Sequence, residues 1–219
     1  MRRLMRQALR AVGLAYYQIF LGPRGYGRPV PADAWECQYR VGHWDIFESS
    51  DELPRYALIA AYVRNHPVPP AVLDVGCGYG RLLAELEGFP LKEYVGIDLS
   101  AEAINKARAR ERDRERDKVA FEVADFTEWR PPSRFDIVVF NETLYYASRP
   151  VQVLSRYFDA LEEHGLVIVS MFRHRNTMII WKDIARRFVA VDAVEVKNGK
   201  GELTDIRVLK KATVATGSA

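Results

Sequence analysis

Cysteine is scarce in this chain: Cys37 and Cys77 are the two thiols among 219 residues, beside four histidines. Two thiols do not make a disulfide framework, and no Cys or His cluster has metal-ligand spacing. A bound metal is therefore not expected, and a cytoplasmic, reducing setting is. Net charge is nearly absent as well, at +3, and no stretch has the pattern of an RNA- or DNA-binding module, so a nucleic-acid partner is not expected. A membrane-spanning helix needs about 20 apolar residues. The uncharged run from Ala11 to Gly22 is too short for one. A secretory signal would end in a small-residue cleavage site, and Gly22-Pro23-Arg24-Gly25 makes a poor one. Internal repeats are missing too. What remains, 48% hydrophobic and 28% charged residues, is the composition of one soluble domain with a few additions.

One sign of charge is missing locally. No acidic residue precedes Asp33, whereas Arg2, Arg3, Arg6, Arg10, Arg24 and Arg28 do. Between them Leu4, Met5, Leu9, Val12, Tyr16, Ile19 and Phe20 recur at helical spacing. A basic amphipathic helix of this kind has two placements: lying on a membrane surface as a peripheral contact, or packed on its own domain or against a second copy as a homodimer. Packing is the commoner outcome. Gly22 to Pro31 reads as a linker. The expected division is a basic helix and linker over 1–34, a helical lid over 35–66, a core over 67–211 and a flexible tail over 212–219.

The core opens with the most informative stretch. Val72-Leu73-Asp74-Val75 is a short apolar run that breaks into Gly76-Cys77-Gly78-Tyr79-Gly80, after which Leu82, Leu83 and Leu86 begin a helix pattern. A second apolar run, Tyr94-Val95-Gly96-Ile97, ends in Asp98. A carboxylate at the tip of that strand can accept both hydroxyls of a ribose, while the glycines let backbone approach a ligand. The spacing does not fit a dinucleotide, whose third glycine falls where Arg81 stands here. No Gly-Lys-Ser/Thr follows, which excludes a Walker phosphate loop. Asp74 is a poor neighbour for phosphates and suits an ammonium group.

Leu73-Asp74-Val75-Gly76-Cys77-Gly78-Tyr79-Gly80 resembles the first motif of class I S-adenosylmethionine-dependent methyltransferases. The resemblance covers roughly residues 35–210. It implies an α/β fold, a Rossmann-like three-layer sandwich whose mostly parallel seven-stranded sheet ends in an antiparallel hairpin. The sequence is consistent with that. Apolar runs at Ala71–Val75, Glu93–Asp98, Val119–Ala124, Phe135–Phe140 and Gly165–Met171 alternate with helix patterns, including residues 33–65, Pro150–Glu163 and Thr177–Phe188. Val189–Val196 and Glu202–Lys210 then flank an Asn-Gly turn. The charge run from Arg108 to Lys118 alternates in sign and reads as a solvated helix face.

The resemblance also implies S-adenosyl-L-methionine as cofactor. Asp98 would hold the ribose and the neighbouring Leu99 belongs to the same site. Asp125 and Phe126 would meet the adenine, and Gly76, Cys77 and Gly78 the methionine part. Asn141 and Glu142 end the fourth strand beneath the sulfonium. There Tyr145-Tyr146 replace the Glu-His pair of ubiquinone-pathway relatives, a departure that resembles the nodulation-protein-S-like group of small-molecule methyltransferases. Tyr39, Trp44 and Arg55 belong to the expected lid, with the Arg55 fork suited to a methionine carboxylate. His43, His174 and Tyr146 are the candidate catalytic groups. The implied activity is methyl transfer to an oxygen or nitrogen of a small metabolite or sugar-like acceptor. The alternatives are a non-methylating enzyme or an inactive S-adenosylmethionine-binding partner protein on the same fold.

Overall fold

The computed structural model describes residues 12–112 and 118–211. The arginines before residue 11, the middle of the charge run and the tail after 211 lie outside the described residues. Seven strands form one sheet: β1 (Ala71–Val75), β2 (Glu93–Asp98), β3 (Val119–Val123), β4 (Phe135–Asn141), β5 (Leu161–Phe172), β6 (Val189–Lys197) and β7 (Leu203–Lys210). Their order is β3-β2-β1-β4-β5-β7-β6. The first five are parallel, and β7 pairs antiparallel with both β5 and β6. The fold expectation is met, hairpin included. β1 and β4 are apolar almost throughout because both faces of a central parallel strand are covered.

The helices that flank the sheet among the described residues are α1 (Ala32–Arg40), α2 (Leu53–Arg64), α3 (Arg81–Glu85), α4 (Ala101–Glu111), α5 (Pro150–Phe158) and α6 (Arg175–Ala185). Strand alternation sorts the core into two layers. Leu73, Val75, Val138 and Phe140 pack with α5 and α6 on one face, and Val72, Ile137 and Val139 pack with α2, α3 and α4 on the other. Prolines start α2 and α5, where no intrahelical N–H is lost. The Ser100 hydroxyl accepts from Ala103 N–H at 3.2 Å and caps α4.

The structure corrects several boundaries. Residues 33–65 are not one helix: Gly42, at φ +72°, ends α1, and 3-10 turns over His43–Glu48 and Ser50–Glu52 precede α2. Nor is all of 35–66 a lid, since Tyr56, Ile59, Ala60 and Val63 of α2 are core. The helix from Pro150 stops at Phe158 rather than Glu163, because Leu161 already pairs with Phe135 of β4. A register shift then absorbs the exposed Glu163 and His164. Gly22–Pro31 is not a free linker. Gly22 and Gly25 are buried against Asn176 and Asp183 of α6, and Gly27 lies against the backbone of Tyr145 and Ala147. Among the described residues no helix is long and apolar enough to cross a membrane.

Candidate active site

The strand order reverses between β1 and β4, and a ligand in an open α/β sheet binds beyond the carboxyl ends of the strands at such a point. There the N–H groups of Gly76 and Cys77 both donate to Ile97 O, at 2.7 and 3.0 Å, and pin the turn to the end of β2. Gly76 has φ +74°, and a Cβ on it would stand 2.3 Å from Thr143 Oγ1. Only glycine fits between this turn and the end of β4.

Asp98 lies across from the turn, buried. Its Oδ2 accepts from Gly78 N–H at 3.0 Å and from the Tyr39 hydroxyl at 3.4 Å, and its Oδ1 from Ser100 N–H at 2.9 Å. Burial raises its pKa to about 6 against the pull of those donors, which leaves it ionised at neutral pH. A carboxylate has about four acceptor positions, and the long Tyr39 contact is the one most readily exchanged for another hydroxyl. Burial also pushes the Cys77 thiol well up, so it stays protonated.

Asp74 is elsewhere. Alternation along β1 turns it to the face of Val72, where its Oδ2 accepts from the Tyr94 hydroxyl at 2.6 Å and its Oδ1 has no partner. Burial raises its pKa to about 7, with the Tyr94 bond opposing. It lies behind the cleft wall rather than facing an ammonium group within it.

The end of β4 carries the strain of the site. Glu142 has φ +57°, which no other non-glycine among the described residues shares in sign. Such a conformation costs on the order of 1–3 kcal/mol. Its side chain is over-determined: Oε2 accepts from Phe172 N–H at 2.8 Å and the Tyr145 hydroxyl at 3.1 Å, while Oε1 is 3.1 Å from Ser170 Oγ. Arg55 stands 3.5 Å from Oε1. The Arg55 fork also donates to Asn141 Oδ1 at 2.8 Å and Glu52 Oε2 at 2.7 Å, with the side chain 3% exposed. Burial would lower the Arg55 pKa, yet Glu142 and Glu52 hold it above its ordinary value. Both terminal nitrogens are thus already engaged, and the fork expected to grasp a ligand carboxylate is committed to protein groups.

The segment expected to act as a lid lines one side of the cleft. Trp35 and Tyr39 of α1, with Trp44 and Phe47 of the following turn, form an aromatic wall. Trp44 stacks on Phe47 at 5.3 Å, and Trp35 meets Tyr146 edge-on at 4.7 Å. Acids latch this lid to the core. Glu36 accepts from Ser100 Oγ at 2.7 Å, Asp45 from the Tyr79 hydroxyl at 3.0 Å, and Glu48 pairs with Arg110 at 2.6 Å. Counted with its open mouth, the cleft encloses about 830 Å³ of space.

Of the residues expected from sequence, Tyr39, Trp44, Arg55, Gly76, Cys77, Gly78, Asp98, Leu99, Phe126, Asn141, Glu142 and Tyr146 converge on this cleft. Four do not. Asp125 is exposed, its Oδ1 turned to Thr127 N–H and Oγ1 at 2.8 and 2.7 Å, although its neighbours Ala124 and Phe126 line the wall. His43 is exposed and packs edge-on against Trp44. His174 precedes α6 at the surface, 6.1 Å from the Tyr145 ring, and partial burial lowers its pKa. Neither histidine lines the cleft, and Asp74 is the fourth. Phe47, Glu48, Tyr79 and Arg81 line it unforeseen. Two of these had a sequence signal, Tyr79 inside the glycine turn and Arg81 where a dinucleotide motif has a small residue.

A family model described as a methyltransferase domain matches residues 70–210. The chain belongs to that family. The match takes in β1 to β7 and so the turn, Asp98 and the β4 end, while the lid lies outside it. Among curated proteins, a trans-aconitate 2-methyltransferase of Acidovorax sp. (strain JS42) is 31% identical over 128 residues, 57% of this chain and 46% of its own length. The chain thus aligns with about half the length of the curated relatives it matches. Among solved structures, the N-methyltransferase NodS from Bradyrhizobium japonicum WM9 in complex with S-adenosyl-l-homocysteine superposes with a TM-score of 0.63. It is 15% identical, over 77% of this chain and 91% of that one. The [4+2]-cyclase SpnF gives a TM-score of 0.66 at 14% identity, over 84% and 98%. Both likenesses are of fold.

Proposed function

We propose that this methyltransferase-domain chain binds S-adenosylmethionine in the β1/β4 cleft and transfers its methyl group to an oxygen or nitrogen of a small acceptor. The observation that carries this reading is the buried Asp98 carboxylate facing the Gly76–Gly78 turn, a cradle that a Cβ at Gly76 would fill. Asp98 would hold the ribose hydroxyls, Leu99, Ala124 and Phe126 would flank the adenine, and the turn would meet the methionine part. When bound, the cofactor would supply a methyl group on a sulfonium, whose transfer to the acceptor releases the demethylated cofactor as a neutral thioether. The protein has to align the acceptor and exclude water. Orientation of this kind is worth about 7–11 kcal/mol, and the aromatic lid is suited to it.

The acceptor class follows from charge. Arg55 and Arg81 line the cleft, but Glu142, Glu52, Glu48 and Glu85 engage them. Asp98 has no cationic partner of its own among its hydrogen bonds. An anionic acceptor such as a carboxylate would find no uncommitted cation here. A hydroxyl or amine suits a wall of Trp35, Trp44, Phe47 and Tyr146, whose ring faces attract positive charge. The curated relative acts on trans-aconitate, a polycarboxylate, so this reading sets the chain apart from it. Burial raises the Tyr146 phenol above its ordinary pKa, so it serves to orient an acceptor by hydrogen bonding. Neither histidine lines the cleft, so an amine that enters neutral needs the least from the protein. The cytosol is the proposed compartment.

The test is incubation of the chain with methyl-labelled cofactor and a metabolite extract, followed by mass spectrometry. A labelled ether or amine product is the expected outcome. A labelled product that alkali hydrolyses would be a methyl ester and would overturn the acceptor class. Tight cofactor binding with no labelled product from any fraction would turn the reading toward the non-methylating alternatives.

A further inference from the structure

The N-terminal segment packs on the fold by one side only. Tyr17 is buried, its hydroxyl bonded to Tyr26 O at 3.0 Å, and Gly22 and Gly25 seat the chain against α6. The opposite side presents Val12 at 66% exposure, Tyr16 at 54%, Ile19 at 63% and Phe20 at 45%, and of its other exposed positions only Gln18 is polar. A run of exposed large apolar residues this dense marks a contact surface. Where this N-terminal segment, a strap over residues 12–31, reaches Arg24, the fold assembles a groove from three separate segments: Arg24 from the strap, Arg149 at the start of α5, and Arg186 and Arg187 after α6. One carboxylate, Asp183, lines the groove and is taken by Arg186 at 2.8 Å. Four guanidinium groups therefore stand against a single acid, beside an apolar ridge.

We propose that this face docks on the surface of an anionic phospholipid bilayer. Val12, Tyr16, Ile19 and Phe20 would enter the interface, while Arg24, Arg149, Arg186 and Arg187 meet lipid phosphates. Charge complementarity selects this occupant. An apolar ridge alone would fit any hydrophobic partner, but the arginine groove joins it at Arg24, whose guanidinium donates to Phe20 O at 2.6 Å, and four arginines against one acid call for an anionic surface. The sequence before the ridge also carries Arg2, Arg3, Arg6 and Arg10, with no acid before Asp33 to offset them. The placement has a consequence for the cleft. The strap continues from the groove through Arg28, whose N–H donates to Tyr145 O at 2.8 Å, to α1 of the lid. Tyr146, next in the chain, lines the cleft. Docking would thus set the lid end of the cleft beside the lipid surface.

The experiment is co-sedimentation of the full chain with vesicles of phosphatidylcholine alone and of phosphatidylcholine mixed with phosphatidylglycerol. Binding to the anionic vesicles alone, weakened by added salt, is expected. The double variant Arg149→Glu/Arg187→Glu should reduce that binding by at least the roughly fivefold per arginine that a surface cation contributes. Ile19→Ser/Phe20→Ser should reduce it as well, and both variants should retain cofactor binding by calorimetry. Equal binding to neutral vesicles, or binding indifferent to both variants, would overturn the proposal. So would a chain that ignores vesicles yet binds inorganic phosphate saturably, or that dimerises through this face in solution. Cofactor binding is a separate readout, so failure here leaves the reading of the cleft standing.

Discussion

Replacing Asp98 by asparagine keeps the size of the side chain and removes its charge. An amide has one acceptor oxygen, whereas Asp98 now uses both oxygens, Oδ1 for Ser100 N–H at 2.9 Å and Oδ2 for Gly78 N–H at 3.0 Å. One of those N–H groups would face an NH2, so either the glycine turn or the start of α4 loses its anchor. A hydrogen bond to a charged group contributes about 1.5–3 kcal/mol. Two ribose hydroxyls on one carboxylate therefore supply roughly 3–6 kcal/mol, of which an amide oxygen keeps a part. We expect a loss of about 2–4 kcal/mol, or roughly 30- to 1000-fold in Kd. Titration calorimetry with S-adenosylmethionine and S-adenosylhomocysteine measures it, with thermal unfolding as the control for a folded variant. The pH dependence supplies a second reading. Free Asp98 titrates at about 6, and hydroxyl donors favour its ionised form. Affinity should therefore be full above that value and fall by up to tenfold per unit below it. A folded asparagine variant with unchanged affinity would refute the reasoning, as would affinity that stays flat through the Asp98 pKa.

Two further outcomes test the buried charges. Asp74 has its pKa raised to about 7, against about 3.9 in an unfolded chain. The folded state thus holds a proton that the unfolded chain releases. Its stabilising contribution is fully present below the unfolded value and is lost as pH rises through the folded one. The loss is on the order of 4 kcal/mol at most. Melts across pH should show Asp74→Asn gaining on the parent chain in alkali and not in acid, and parallel curves would count against this. Arg55→Met leaves Glu52 and Glu142 buried without their cation. It should cost about 3–5 kcal/mol in chemical denaturation, and a loss under about 1 kcal/mol would mean the network is relieved by water.

The central strands and the glycine turn were legible because their signals are local. A parallel strand covered on both faces is an unbroken apolar run, and a turn that admits no Cβ has to be glycine. Asp98 was legible for the same reason, as a lone acid ending such a run. Legibility stopped where a side chain's direction depends on partners distant in sequence. Asp74 is two residues before the turn, yet strand alternation hands it to Tyr94. Arg55 has the right chemistry for a free carboxylate, yet α2 sets it between Glu52 and Glu142, 87 positions further on in one case. His43 and His174 were plausible bases by proximity in the chain, and the lid and the start of α6 hold both at the surface.

The amino-acid order alone determined the parallel sheet, its closing hairpin and the small-residue bend opposite a carboxylate, since each depends on periodicity or steric need within a few neighbouring positions. Tertiary structure decided which charges are free. It neutralised the cleft arginines, strained Glu142 into a conformation that four separate partners hold, and gathered Arg24, Arg149, Arg186 and Arg187 onto one face. Helical spacing encodes Arg55–Glu52 and Arg81–Glu85. But Arg55–Glu142, Arg81–Glu48 and the gathered arginines meet through space across segments far apart in the chain, so no local spacing encodes them.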